Sequence, residues 1–370
     1  MGTGQRKAAP RKALAQINDY ITAKTIESVK RELGIEKILK LAGNENTNGY
    51  SPKVKEAIEK SLEGLSYYPD MNCTVLREKL SNLHGVEQEQ LIFGNGSFEL
   101  ISIIAQTYLE EGEEAIMAEP SFGWYKNVTL QMGGRLVSLP LKNYKVDLEA
   151  IKEAITDRTK IIWLCNPNNP TGTIVKEEEL QGFLEKLPPG IILVLDEAYI
   201  DYVLEEGYPD SIRLLKRYPN IILLRTFSKA YGLASFRIGY GISSKEVILQ
   251  LNKVRLPINT NALAQAAAAA SLEDREFYRY VLENNKEGLK LYYKALTELG
   301  LEFVPSNCNF ILFDTGLDSD AVAGEYYKKG ILIRSGKEFC LPTWVRISIG
   351  TKEENQLVLE ILKEILKRQA

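Results

Sequence analysis

IILLRTFSKAYGLASFRIG, residues 221–239, opens with four apolar residues, turns polar at Arg225 and places the amine of Lys229 soon after the run, with a second cation, Arg237, eight residues on. An uninterrupted apolar run of this kind is what a strand covered on both faces requires. Two other stretches repeat the arrangement: residues 161–165 run into NPNNPTG (166–172), and residues 191–195 into DEAY (196–199). Amphipathic sequence separates the three, so the natural reading is α/β with parallel strands. Taken alone, Ser228-Lys229 after a strand would be a solvated turn. In company, the three polar loops fall at the carboxyl edge of one sheet, where open α/β sheets bind ligands.

Upstream, residues 91–93 form a short apolar run, followed by GNGS (94–97) and helical sequence over 98–109. Strand, glycine-rich turn and helix aim backbone N–H groups at a phosphate, although the turn is neither a P-loop nor G-x-G-x-x-G and also reads as a plain connector. SYYPDMN (66–72) sets Tyr67 and Tyr68 on a proline-fixed bend, for packing or for ligand contact, before a helix around 76–83. LAGNENTNGYSP (41–52) is a loop that ends with Ser51 capping a helix begun by Pro52. Before it, residues 17–40 read as an amphipathic arm whose helix stops at Gly34, and residues 1–14 as a basic tail.

Downstream, the Ala-rich stretch 259–274 predicts a closely packed helix and 275–299 a long charged one. Strands over 303–313, 331–334 and 345–349 and a helix over 352–368 complete the chain. The expected division is a tail and arm (1–45), a large domain with a mostly parallel central sheet (46–260), and a smaller C-terminal α/β domain (261–370).

With 46 basic and 49 acidic residues among 370, the net charge of -3 gives no field of one sign to recruit nucleic acid or an anionic membrane. No apolar segment reaches the roughly 18 residues of a membrane span, and no signal-peptide core is evident, so a soluble, cytoplasmic protein is expected. Cys73, Cys165, Cys308 and Cys340 lie far apart and are expected to be buried thiols, without a metal site or disulfide framework. His84, the single histidine, sits beside Gly85 and reads as a turn residue, which excludes a histidine-based triad.

The clustered side chains have a common chemistry. Asp196 follows five apolar residues, so burial would raise its pKa unless a cation such as a protonated pyridine nitrogen holds it ionised. Asn169 and Tyr199 can donate to a phenolate oxygen. Ser228 and Arg237, with the N–H groups of the GNGS turn, can bind a phosphate. Lys229 supplies an amine able to form a Schiff base with an aldehyde. Aldehyde, phenolate, pyridinium and phosphate are the groups of pyridoxal 5'-phosphate.

Asn-Pro-Thr-Gly (169–172), Asp-Glu-Ala-Tyr (196–199) and Ser228-Lys229 with Arg237 resemble, in order and spacing, the fold-type I aminotransferases. KLAGNEN (40–46), YPD (68–70), LIFGNGS (91–97), CNPNNPTGT (165–173) and NALAQAAA (261–268) are similar to histidinol-phosphate aminotransferases, from about Tyr20 to the end of the chain. The resemblance implies that Lys229 carries the cofactor and moves the substrate proton, that Asp196 pairs with the pyridinium, and that Asn169 and Tyr199 hold the phenolate. It also implies that Phe122 stacks on the ring, while Ser97, the Phe98 N–H, Ser228 and Arg237 cradle the phosphate. Tyr68 would reach the neighbouring subunit's cofactor, making a homodimer. Arg346, with Arg334 as second candidate, would grip the acidic group of the substrate, with Asn44 and Asn46 beside it.

Several positions depart from the family pattern. Phe98 stands where an aspartate is expected, and Thr47, Met71, Ser235 and Phe236 differ as well. The expected reaction is amino transfer between histidinol phosphate and 2-oxoglutarate, in histidine biosynthesis. Aromatic amino acids are an alternative donor class, toward which Phe98 and Phe236 lean. Decarboxylation of a phosphorylated amino acid on the same scaffold is a further alternative.

Overall fold

The computed structural model describes residues 9–17 and 25–369; most of the expected tail and the first residues of the arm helix lie outside them. Within the arm, the helix Ile26–Leu33 is capped by Thr25 and ends at Gly34, whose φ of 65° is the left-handed stop expected there. A short strand, β1 (Leu39–Lys40), follows.

The large sheet holds β2 (Leu91–Gly94), β3 (Glu114–Glu119), β4 (Arg135–Pro140), β5 (Thr159–Cys165), β6 (Ile192–Asp196), β7 (Ile221–Thr226) and β8 (Gly239–Ile242). Their order is β2-β8-β7-β6-β5-β3-β4, with β8 antiparallel to both neighbours and the other pairs parallel. The three apolar runs are thus the adjacent central strands β5, β6 and β7. Along β5, Ile161 and Trp163 face one apolar layer while Ile162 and Leu164 face the other, so both sides are covered. Each such side chain contributes about 1.5–3 kcal/mol on burial, which fixes register and face. The sequence reading did not assign β3, β4 or β8. β4 lies at the sheet edge with its residues only partly buried, and β8 is half glycine, so neither shows a continuous apolar run.

The glycines of β8 serve its reversed direction. A Cβ on Gly239 would stand 2.5 Å from the Ser97 nitrogen and 2.9 Å from the Arg225 carbonyl oxygen, so only glycine lets β8 slot between β2 and β7. That close approach brings Arg237, two residues earlier, over the start of the helix Gly96–Tyr108.

The C-terminal unit is an antiparallel sheet ordered β12 (Arg334–Ser335), β13 (Trp344–Ser348), β10 (Phe310–Asp314) and β9 (Phe303–Val304). The helices Arg275–Glu298, Ser319–Lys328 and Lys352–Gln369 accompany it. The run expected over 303–313 is interrupted by the turn carrying Ser306 to Asn309, buried polar residues that take hydrogen bonds of their own. The 331–334 run likewise divides, because β11 (Ile331–Leu332) pairs in parallel with β1 of the arm and leaves the second sheet to β12. Leu41 N–H donates to Leu332 O at 2.8 Å and Ser348 N–H to Leu41 O at 2.8 Å, so residues 39–45 are attached to the C-terminal unit. The helix Ala262–Ser271, assigned from sequence to that unit, packs instead against the helices Pro52–Ser61 and Thr74–His84, with Ala264, Ala267 and Ala268 in the large-sheet core. Among the described residues no helix is long and apolar enough to cross a membrane.

Candidate active site

The carboxyl ends of β5, β6 and β7 meet at two adjoining cavities of about 450 and 470 Å³, which share Gly43, Phe98, Phe122, Asn169, Tyr199 and Lys229. Asp196, the last residue of β6, is 3% exposed. It accepts hydrogen bonds from the Tyr125 hydroxyl (2.8 Å) and the Ala198 N–H (3.1 Å). Burial pushes its carboxyl up to about 6 against those two bonds. Among the described residues no basic side chain forms an ion pair with it.

Lys229, half-buried, directs Nζ to the Gly43 carbonyl at 3.2 Å and lies 5.4 Å from the Tyr199 ring centre. Burial lowers its pKa to about 8; Arg346 and Arg237 act in the same direction and Glu45 opposes them. The Tyr199 hydroxyl accepts from the Asn44 amide (3.0 Å) and the Asn169 amide (3.4 Å). Burial above all holds that phenol well above its ordinary pKa, so it keeps a proton to donate. Asn44 occupies this place with a φ of 57°, in the left-handed region that asparagine tolerates.

At the other end of the first cavity, Arg237, with φ 58°, donates to Ala234 O (2.8 Å), Ser228 Oγ (3.4 Å) and Asn95 O (3.3 Å). Gly96 has a φ of 73°, and a Cβ there would lie 2.7 Å from an Arg237 nitrogen. Glycine therefore lets the guanidinium stand beside the helix start, where Ser97, Phe98 and Ser228 also line the cavity. This is a cationic cradle of phosphate size. Phe122 meets Phe98 edge-on with ring centres 5.5 Å apart, and Phe98 lies 4.5 Å from Trp124. Phe98, one of the residues that depart from the family pattern, thus belongs to an aromatic wall.

Arg346 is 5% exposed and lines the second cavity; one nitrogen donates to Asn169 Oδ1 and another to Ala42 O at 2.8 Å, while its buried Nε has no acceptor among the described residues. Arg334 lines the same cavity. Two expected site residues stand apart. Asn46 donates to the Ala230 carbonyl at 3.0 Å, behind Lys229, and Tyr68 is 87% exposed on its bend and lines neither cavity.

Sequence reasoning missed Tyr125, the proton donor to Asp196, and Glu45, which pairs with Lys40 at 2.5 Å and lines the first cavity. Glu45 lies inside KLAGNEN (40–46) and Tyr125 three residues beyond Phe122, and their chemistry depended on which way the side chains turned. His84 is not a turn residue. It closes the helix Thr74–His84 while Gly85 takes the turn, with Nε2 3.0 Å from the Tyr240 hydroxyl and Nδ1 3.4 Å from Arg225. Burial, reinforced by Arg225, pushes it down to about 3, so it is neutral. Of the four cysteines expected to be buried, Cys340 is exposed, because it follows a 3-10 turn at φ 60° on the surface.

The buried Asp196 carboxylate decides what the cavity accepts. Among the described residues no basic side chain pairs with its ionised form, and a lysine amine and an arginine-held phosphate cradle line the same cavity. A pyridinium ring bearing an aldehyde and a phosphate meets those requirements together, so the residues fit pyridoxal phosphate. Fold and cavity define a fold-type I pyridoxal-phosphate-dependent transferase. Within that class the chain belongs to the aminotransferase class I and II family, whose model matches residues 36–362.

Curated relatives include a histidinol-phosphate aminotransferase from Caldicellulosiruptor saccharolyticus, 47% identical over 96% of this chain and 99% of the relative. Another from Geobacillus sp. (strain WCH70) is 46% identical over 95% of this chain and 96% of its own. Among solved structures, histidinol-phosphate aminotransferase from Sinorhizobium meliloti in complex with pyridoxal-5'-phosphate superposes with a TM-score of 0.91 at 27% identity, covering 99% of this chain and 100% of that one.

Proposed function

We propose that this aminotransferase takes its amino group from histidinol phosphate and gives it to 2-oxoglutarate, as a step of histidine biosynthesis in the cytoplasm. When bound, pyridoxal phosphate supplies an electron sink that stabilises negative charge at the donor's Cα. Asp196 would pair with the ring nitrogen and keep it protonated. The Tyr199 hydroxyl and Asn169 amide are donors for the ring oxygen, and Phe122 is the stacking surface. Ser97, the Phe98 N–H, Ser228 and Arg237 take the cofactor phosphate. Lys229 would hold the cofactor aldehyde through Nζ, and its amine would carry the Cα proton; a pKa near 8 suits an amine that must both accept and return a proton near neutrality.

The observation that carries the substrate is the pair Arg334 and Arg346, set opposite each other by the register of β12 and β13 beside the Lys229 cavity. Two guanidinium groups suit a phosphate head. Asn44, bound to Tyr199, and Asn46, bracing Ala230, shape the loop facing it. An aromatic amino acid is the second reading, favoured by the wall of Phe98, Phe122 and Trp124. Steady-state amino transfer with each donor decides between them: faster turnover of phenylalanine than of histidinol phosphate would reverse the order. Carbon dioxide release without consumption of the oxo acid would instead indicate decarboxylation.

We further propose a homodimer in which Tyr68, too exposed to serve its own cavity, completes the neighbour's. Mixed dimers of Tyr68→Ala and Lys229→Ala chains then regain one intact site. If the mixture is no more active than its parents, Tyr68 does not act across subunits.

A further inference from the structure

Glu338 lines the second cavity on the 3-10 turn Gly336–Phe339 that follows β12. Ser335 caps that turn, and Lys337 is anchored on its other side by Asp318 (2.6 Å) and Asp320 (2.9 Å). With the turn held so, Glu338 Oε1 accepts from Arg334 Nε at 2.5 Å. Arg334 in turn is the cross-strand partner of Arg346. Like charges directly opposite on a sheet repel, so two arginines in register call for an anion between them.

Arg346 makes no ion pair among the described residues. Its hydrogen-bond acceptors are the Asn169 amide oxygen and the Ala42 carbonyl, and its buried Nε has no acceptor among the described residues. Burial lowers its pKa first; Arg334 adds to that effect and Glu338 opposes it, so the three groups sense one another. The second cavity is thus lined by one carboxylate, Glu338, beside the two guanidinium groups of Arg334 and Arg346.

We infer that Glu338 is the resident counter-ion of the Arg334–Arg346 pair and is exchanged for the donor's anionic head, which makes it a specificity-determining residue whose carboxylate competes with phosphate heads more than with carboxylate heads. This rests on the histidinol phosphate reading. A carboxylate on Cα would need only Arg346. A phosphate ester on Cα extends further by a carbon and an oxygen, spans toward Arg334, and must displace Glu338 to engage both arginines. Arg334 and Glu338 are 34% and 40% exposed, so the released carboxylate swings into water and the exchange is shallow.

The test compares wild-type, Glu338→Gln and Glu338→Asp holoenzymes with histidinol phosphate and with phenylalanine as donors. In Glu338→Gln the KM for histidinol phosphate is expected to fall about three- to fivefold, the range that loss of a partly exposed ion pair implies. Its kcat stays unchanged and the KM for phenylalanine changes less than about twofold, within the scatter of a rim charge. Glu338→Asp keeps the carboxylate and stays closer to wild type. An unchanged KM for histidinol phosphate, or an equal fall for both donors, overturns the inference. If the wild type does not use histidinol phosphate, the functional reading fails by itself. Glu338 is then judged by inorganic phosphate inhibiting the glutamate half-reaction: a Ki lowered in Glu338→Gln supports the counter-ion role and an unchanged Ki refutes it.

Discussion

Replacing Asp196 by asparagine removes one buried charge and leaves the shape of the site. Asp196 is 3% exposed, and burial raises its carboxyl from 3.8 to about 6. Two units correspond to about 3 kcal/mol of differential stability between the protonation states. The direction follows from proton counting. Between pH 4 and 6 the folded cofactor-free protein holds a proton that the unfolded chain has released, so stability falls as pH rises through that window, and the full deficit is present at pH 7. Asparagine carries no such deficit. Its amide can donate to the Tyr125 oxygen, since that hydroxyl is able to accept as well as donate, and its oxygen still takes the Ala198 N–H.

Urea unfolding of cofactor-free Asp196→Asn at pH 7 is therefore expected to show a gain of up to about 3 kcal/mol over wild type, shrinking toward zero as pH is lowered to 4. With cofactor bound the order reverses, because the pyridinium has lost its partner, and kcat falls by about 10²–10³, as for loss of one fixed electrostatic stabiliser. A cofactor-free variant less stable than wild type at pH 7, with a difference independent of pH, would refute the reasoning.

Two further outcomes follow from the same sheet. Glu197, 0% exposed, pairs with Arg225 at 2.8 Å, so Glu197→Gln leaves a largely buried guanidinium unpaired and is expected to cost about 3–5 kcal/mol in urea unfolding; a loss below about 1 kcal/mol would place the pair in effective contact with water. His84 is held neutral by burial and Arg225. Its ring-proton NMR shift should stay flat from pH 5 to 8, and an inflection near 6.5 would contradict its placement.

The central strands and their loops were legible because continuous apolar runs survive without tertiary context, and the residues at their ends are fixed in place by register. Lys229, Asp196 and Asn169 each stand at or just beyond the carboxyl end of a strand, so knowing the sheet places them, whereas Arg237 stands just before the reversed strand β8. Tyr125 and Glu338 could not be found that way. Tyr125 reaches Asp196 from the helix Trp124–Gln131, and Glu338 matters only because β12 and β13 set two arginines opposite each other. β8 was hidden for the opposite reason: its glycines are required by the backbone they approach, and such contacts leave no apolar signal. The arm strand β1, two residues long, is defined wholly by its partner in the C-terminal unit.

The central claim is that Lys229 is the residue to which the cofactor is bonded. Protein loaded with pyridoxal phosphate, reduced with borohydride, digested and analysed by mass spectrometry should carry the cofactor's mass on the peptide containing Lys229, with the label lost in Lys229→Ala. A label on a different lysine, or none in a protein that transfers amino groups, would contradict the account.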